Sequence, residues 1–316
     1  MVASFNTAID LQLKSVLIAT DFSATSEKAI RHALAIARHF RAKLYLLHVV
    51  SSLGIIIAGP DAIAQSTTLA FRDLTLLERE LVTSGALREM RHQAMVCSGD
   101  IWTELQRVIG REDIDLVVLG THGRSGFKKL VLGSVAEQVF RHAGCPVLTV
   151  GPCSPPDAPI ASNGAPRPVL FPTDFSDASL QALPYAVSIA GERRTNLVLL
   201  HMLSLAPHGE GHRRYTAADV EQIQMEARAT ARRQLRGLAA QANFAIEPAL
   251  VAEFGPPAEG ILRVASELHA EAIVIGLHRR VYAEVSAHLP WSTAYEVACQ
   301  AACPVLTVRA DAGLTV

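Results

Sequence analysis

Residues 16–50, VLIATDFSATSEKAIRHALAIARHFRAKLYLLHVV, align without a gap on residues 169–203, VLFPTDFSDASLQALPYAVSIAGERRTNLVLLHML, at a constant offset of 153 and with 16 of 35 positions identical. A second pair of blocks follows in the same order. LVVLGTHGR and CPVLTV in the first half are answered by AIVIGLHRR and CPVLTV in the second. Repeats of this length exceed the roughly 20–50-residue periods of solenoids and arrays, so each copy is a whole domain. Any fold for this chain has to be made twice.

Between the copies runs GPCSPPDAPIASNGAPRP (151–168), dense in Pro, Gly, Ser and Ala. It offers no apolar face and discourages both helix and strand, so it reads as a linker between domains at 1–150 and 169–316. Within each half, short apolar runs alternate with segments whose apolar residues recur every three or four positions. Strands are expected at 16–20, 43–49, 93–98, 114–119 and 146–150, and again at 169–173, 196–202, 246–252, 271–275 and 304–308. Helices are expected at 24–40, 62–91, 101–111 and 134–142, and at 177–192, 217–241, 257–268 and 292–300. Strands separated by helices imply right-handed crossovers, so each half is an α/β domain with a five-stranded parallel sheet covered on both faces.

The bulk composition narrows the function. A chain of 316 residues with half of them hydrophobic can bury a large core. Lys+Arg and Asp+Glu are 29 and 30, for a net charge of −1, so no global field draws the protein to nucleic acid or to an anionic membrane. Any anion site has to be local. The five cysteines form no C-x-x-C pair and fit a reducing compartment. No secretory signal is read at the N-terminus, and LGIIIAG at 53–59 is too short to span a bilayer, so a cytoplasmic protein is expected. The low-charge stretch LGIIIAGPDAIAQSTTLAF (53–71) either packs against its own domain or serves a self-association or partner surface.

The chemistry concentrates at GTHGRSGFKKLVLGS (120–134), which closes the run IDLVVLG and opens SVAEQVF. In an open parallel sheet, ligands lie beyond the carboxyl ends of the strands where the strand order reverses, which brings together the residues after the first and fourth strands. A glycine-rich strand-to-helix connection there offers backbone N–H groups and the positive end of a helix to an anion. Gly123 and Gly133 can adopt positive φ and let backbone approach a ligand. Ser134 reads as an N-cap with Glu137 completing a capping box and equally as a ligand contact, while Asp21 reads as a ligand contact with a helix start as the alternative. A plain turn remains the alternative for the glycines. Arg124, Lys128 and Lys129 read as solvated loop cations that could also neutralise phosphate.

Gly120-x-x-Gly123, nine residues, then Gly133-Ser134 resembles the nucleotide-binding motif of the universal stress protein family, with its pattern G-x2-G-x9-G-[ST]. The resemblance extends to ATDFS and PTDFS after the first strands, LLHVV and LLHML at the second, and CPVLTV at the fifth. It implies a Rossmann-like domain holding ATP, or the related AMP or ADP, and leaves open whether Mg²⁺ accompanies the nucleotide. It further implies pairing through fifth strands, as a homo-oligomer or as an intramolecular pseudo-dimer. Carried over by position, Asp21 would contact the base, Val49 would line its pocket through the backbone, and Gly120, Gly123, Gly133 and Ser134 would surround ribose and phosphates. Ala19 stands where the pattern usually has Pro, which the second copy keeps as Pro172.

The second copy of the loop, GLHRRVYAEVSAHLPWS (276–292), departs from this pattern. Arg279 replaces the second glycine and Trp291 the third. A bulky ring would stand where phosphate approaches, so one nucleotide per chain is expected, with the second half as a degenerate partner. His48 and His201, at matching strand ends, read as hydrogen-bonded structural histidines. His208, Glu210 and His212 lie in a glycine-rich stretch that does not fix a tetrahedral metal site. Cys145 and Cys303 precede Pro at equivalent positions, where a small apolar side chain packs. No nucleophile elbow, zinc-protease motif or P-loop is present, so the chain reads as a sensor or switch with at most slow, incidental ATP hydrolysis and an unknown regulatory partner. The rival reading is a nucleotide-independent dimerisation and interaction scaffold.

Overall fold

A computed structural model of the chain describes residues 11–51, 60–121, 132–155, 167–192, 196–204, 216–241, 244, 246–277 and 293–309. In chain order the elements of the first repeat are β1 (Ser15–Ala19), α1 (Ala24–Phe40), β2 (Lys43–Ser51), α2 (Pro60–Thr83), β3 (His92–Gly99), α3 (Ile101–Arg111), β4 (Leu116–Gly120), α4 (Ser134–His142) and β5 (Val147–Val150). The second repeat contributes β6 (Val169–Pro172), α5 (Asp177–Glu192), β7 (Leu197–Leu203), α6 (Ala217–Gln241), β8 (Ala249–Phe254), α7 (Pro257–Glu267), β9 (Ala272–Leu277), α8 (Thr293–Gln300) and β10 (Val305–Arg309).

Two compact units emerge. One holds residues 12–163 together with 298–307, and the other is built chiefly from residues 164–297. In the first unit the strand order is β3-β2-β1-β4-β5-β10, parallel throughout until β10, which runs antiparallel to β5. In the second unit the order is β8-β7-β6-β9, all parallel.

The central strands explain themselves. Val16, Leu17 and Ile18 of β1 and Val117 and Val118 of β4 are fully buried, as continuous apolar runs must be when helices cover both faces of a sheet. Helix α1 turns Ala29, Ile30, Ala33, Leu34 and Ala37 inward at spacings of three and four, and Ser23 caps it by accepting the Ser26 N–H.

Strand β5 pairs with β10 as Thr149↔Val305, Leu148↔Leu306 and Val147↔Thr307. Each CPVLTV strand therefore meets its own repeat about a centre at Leu148 and Leu306. The two buried threonines repeat the symmetry: Thr149 Oγ1 donates to the Val305 carbonyl at 3.2 Å and Thr307 Oγ1 to the Val147 carbonyl at 3.1 Å. Those hydroxyls are satisfied where water has no access.

One expected boundary moves. The helix expected over 62–91 stops at Thr83, because Gly85 takes φ +75° and turns the chain away, its N–H bonded to the Val82 carbonyl at 3.0 Å. Along α2, Ala70 and Leu74 are buried while Leu69 and Phe71 remain exposed, joined further on by Leu76 and Val82. The part of the apolar stretch at 52–59 lies outside the described residues.

Left-handed residues also close helices where no glycine signals them. After α1, Arg41 adopts φ 53°, which lets the Ala42 N–H reach the Ala37 carbonyl at 2.9 Å. Such a conformation costs a residue with a Cβ about 1–2 kcal/mol, more than the roughly 0.5–1 kcal/mol that glycine loses through unfolded-state entropy. Arg41→Gly is accordingly expected to raise stability by a few tenths to about 1 kcal/mol, read as a higher urea midpoint. A lower midpoint would mean that the arginine side chain contributes more than its backbone strain costs.

Candidate functional site

In the first unit the chain leaves β1 toward β2 on one side and β4 toward β5 on the other, so the strand order reverses between β1 and β4. Right-handed crossovers in opposite directions place α1 and α4 on opposite faces and open a crevice at the carboxyl ends of these two strands. Two segments border it: the turn Thr20-Asp21-Phe22-Ser23 and the pair Gly120-Thr121.

The turn is held from within. Phe22 has φ 61°, an unusual value for a bulky residue. Its N–H donates to Thr20 Oγ1 at 3.1 Å, the Ser23 N–H donates to Asp21 Oδ1 at 3.1 Å, and the Ser26 hydroxyl donates to the same carboxylate oxygen. His48 Nδ1 lies 2.7 Å from the Thr20 carbonyl, which only accepts, so Nδ1 carries the hydrogen. The same imidazole lies 4.6 Å, centroid to centroid, from the Phe22 ring.

Most of this is repeated in the second unit, although there the Asp174 carboxylate accepts from the Ser176 hydroxyl, and the Ser179 hydroxyl bonds the Thr173 hydroxyl and the Ser176 carbonyl instead. Phe175 has φ 62°, its N–H meets Thr173 Oγ1 at 3.0 Å, the Ser176 N–H meets Asp174 Oδ1 at 3.0 Å, and His201 bonds the Thr173 carbonyl at 2.8 Å while its ring lies 4.6 Å from Phe175. Both histidines are thus props for a strained turn, and both aspartates fold the turn at whose end α1 or α5 begins. In the first unit, half-buried Asp21 sits beyond β1 and half-buried Val49 near the end of β2, where it pairs with Cys97 of β3.

Gly120 answers to packing. A Cβ there would lie 3.0 Å from Thr25 Cγ2 and 3.2 Å from the Thr25 carbonyl carbon, because the first turn of α1 rests on the end of β4. The constraint is tighter in the second unit, where a Cβ on Gly276 would strike the Ala178 carbonyl and come within 2.6 Å of Ser179 Cα. This accounts for the glycine's presence in both copies, including the one whose loop departs from the motif.

The other end of the loop differs from the expected capping box. Gly133 is the N-cap of α4, with φ −57° and no side-chain cap, and Ser134 is the exposed first helical residue. Glu137 turns away from the helix start: its N–H bonds the Gly133 carbonyl at 2.8 Å, and its carboxylate pairs with Arg141 at 2.8 Å, one turn on. Sequence placed the cap one residue late because serine is the better side-chain acceptor, whereas the chain enters this helix on glycine.

Thr121, which sequence reading passed over, joins the parts. It is fully buried, its N–H donates to the Val150 carbonyl at 3.0 Å, and its carbonyl accepts the Gly133 N–H at 2.8 Å. The glycine-rich loop is thereby closed at its neck, with Thr121 bonded to the end of β5 and Gly133 bonded to Thr121. Lys28 of α1 was likewise missed. Its ammonium donates to the Pro152 and Ser154 carbonyls at 2.5 and 3.0 Å and ties the first residues after β5 to the same helix. Gly123, Arg124, Lys128, Lys129, Arg279, Arg280, Trp291 and the His208–His212 stretch lie outside the described residues.

The universal stress protein family model matches residues 12–151 and again residues 166–309. The chain belongs to the universal stress protein family. Two relatives each match over about the length of one repeat. A universal stress protein of Methanocaldococcus jannaschii is 33% identical over 146 residues, covering 43% of this chain and 81% of that protein. Universal stress protein YxiE of Bacillus subtilis is 29% identical over 144 residues, covering 43% of this chain and 97% of its own length. Among solved structures, a universal stress protein from Archaeoglobus fulgidus covers 95% of this chain and 99% of its own, with a TM-score of 0.66 at 20% identity. That likeness concerns the fold, which in this universal stress protein is the Rossmann-like α/β arrangement formed twice.

Two predictions follow from the geometry around this site. Gly276→Ala is expected to destabilise the protein more than Gly120→Ala, because the new Cβ would overlap the backbone of Ala178 and Ser179 in the first case and press less closely on Thr25 in the second. Strained insertions of this kind cost about 1–3 kcal/mol, and thermal denaturation of the two variants gives the order. The cysteines form the second set. Burial pushes the Cys145 thiol up to about 11, which leaves about one thiolate in a thousand at pH 8. Cys299 and Cys303 are buried and Cys153 is exposed. Maleimide at pH 8 should therefore modify Cys153 first, with Cys145 spared until the native structure opens, as peptide mass spectrometry would record.

Proposed function

We propose that the first repeat binds ATP or a related adenine nucleotide at the crevice beyond β1 and β4. In this reading the protein is a cytoplasmic stress-response or regulatory switch that holds its ligand without turning it over. The observation that carries the proposal is the pinned neck of the glycine-rich loop: the Thr121–Gly133 bond delivers the loop to an α4 N-terminus whose N-cap has no side chain to satisfy the first-turn N–H groups. Unsatisfied N–H groups at a helix start favour a phosphate. Membership of the universal stress protein family and the matching glycine spacing support the same reading.

Asp21 would then face the base, Val49 would line its pocket, and Gly120, Gly123, Gly133 and Ser134 would border ribose and phosphates. The Asp21 carboxylate already accepts the Ser23 N–H and the Ser26 hydroxyl, which suits a fixed contact better than a mobile general base. The antiparallel pairing of β5 with β10 supports the second repeat as a pseudo-dimer partner in place of a separate subunit. A scaffold that acts through protein partners alone is the second reading, and the exposed Leu69, Phe71, Leu76 and Val82 of α2 favour it.

Protein purified without added nucleotide should release an adenine nucleotide on denaturation, identified by mass spectrometry. Calorimetric titration with ATP, with and without Mg²⁺, should give one site per chain in the wild type and none in Gly133→Trp, which copies the second repeat. Equal affinity in the two would remove the assignment of the site. An empty protein showing no thermal shift in millimolar ATP would favour the scaffold.

A further inference from the structure

The second unit contains, among its described residues, a feature that the broken loop motif does not predict. Met202, the next-to-last residue of β7, occupies the position of Val49 at the offset of 153 that relates the repeats. Its side chain lies over the first turn of α7. There its Sδ is 2.7 Å from where a Cβ on Gly260 would stand, and its terminal methyl is nearer still. The same methyl is 3.9 Å from the Cβ position of Gly255, which has φ +143° just beyond β8. The thioether is thus seated in a hollow that exists only because residue 260 has no side chain.

The first unit has neither part of this seat. Val49 is short and branched, and in this part of the repeats, where Gly99 answers to Gly255 and Gly120 to Gly276 at an offset of 156, the position equivalent to Gly260 is Glu104. The Glu104 side chain runs back over Gly99, its Cγ 3.3 Å from the Cβ position of that glycine, and its carboxylate is held by Arg107 Nε at 3.0 Å. A methionine at position 49 could not adopt the pose of Met202 there.

We infer that Met202 is an internal plug that closes the second unit's strand-end crevice to a nucleotide base, and that Gly260 is the socket that holds it. The inference rests on the reading of the first unit's crevice as an adenine nucleotide site. In that crevice the wall beside the base is Val49; in its counterpart the protein supplies its own apolar occupant. A flexible thioether fills an irregular hollow that a β-branched residue leaves open. The second unit is therefore closed at the base by Met202 and Gly260, which lie apart in sequence from the divergent glycine loop. Restoring its glycines alone would not restore binding.

The test uses the full chain and adenosine, which needs no phosphate loop. In calorimetry the wild type should bind adenosine at one site, and Met202→Val should acquire a second. The converse double variant, Val49→Met with Glu104→Gly, transfers plug and socket to the first unit and should weaken binding by roughly tenfold or more. A folded Met202→Val that still shows one site, or a double variant that binds as tightly as wild type, would overturn the inference. A readout independent of any nucleotide is oxidation by hydrogen peroxide followed by peptide mass spectrometry. Met225, 66% exposed, is the internal reference, and seated Met202 should oxidise roughly fivefold more slowly. Equal rates would mean that the seat is not occupied. Should the wild type bind no adenosine at all, the nucleotide reading of the first unit fails, and the peroxide rates still decide whether Met202 is seated.

Discussion

The close approach of a helix start to a strand end governs this architecture. In each unit the first turn of the first helix lies on the glycine that ends the neighbouring strand, Thr25 over Gly120 and Ala178 over Gly276. A methyl group at either place would push the helix away and with it the turn that carries Asp21 or Asp174. Everything at the crevice inherits this spacing. The Thr20 carbonyl is placed for His48, the Phe22 ring is placed for the same imidazole, and Gly120 leads directly to Thr121 and the neck of the loop. The strain of a left-handed phenylalanine is tolerable because five contacts determine the turn from different directions.

The two units separate what this scaffold requires from what a ligand would require. Features present in both copies, such as the Asp turn, the histidine prop and the strand-end glycine, have a packing account that needs no ligand. Features present in one copy are where a difference in binding between the units would have to lie. Those are Val49 with Glu104 on one side and Met202 with Gly260 on the other, together with the divergent glycine loops. An aspartate found at the expected place is therefore weaker evidence for binding than the space beside it.

Much of the fold was legible in the sequence because duplication and periodicity are properties of many residues at once. The strands and most helix limits came from apolar runs and three-to-four spacing, which local detail does not upset. What escaped depended on a single dihedral or on contacts distant in sequence. Gly85 ends α2 early by taking positive φ, although the apolar pattern continues beyond it. Arg41, Asp113 and His269 are left-handed without being glycine or asparagine, so composition could not mark them. At the start of α4 the cap proved to be Gly133 instead of Ser134, because the chain's direction of entry decides which residue is half in the helix. Thr121, Lys28 and Met202 had no signal, since each acts on a partner brought near only by the sheet.

The pairing of β5 with β10 about Leu148 and Leu306 has the symmetry of two identical strands meeting, but both strands are written in one chain. In an assembly of identical chains, any substitution appears in every copy, so a binding site cannot be lost from one half and kept in the other. Here a single change alters one copy only, while the covalent connection keeps the two strands at high effective concentration and the pairing survives the divergence. The duplicated strand is thus what freed the two crevices to become different.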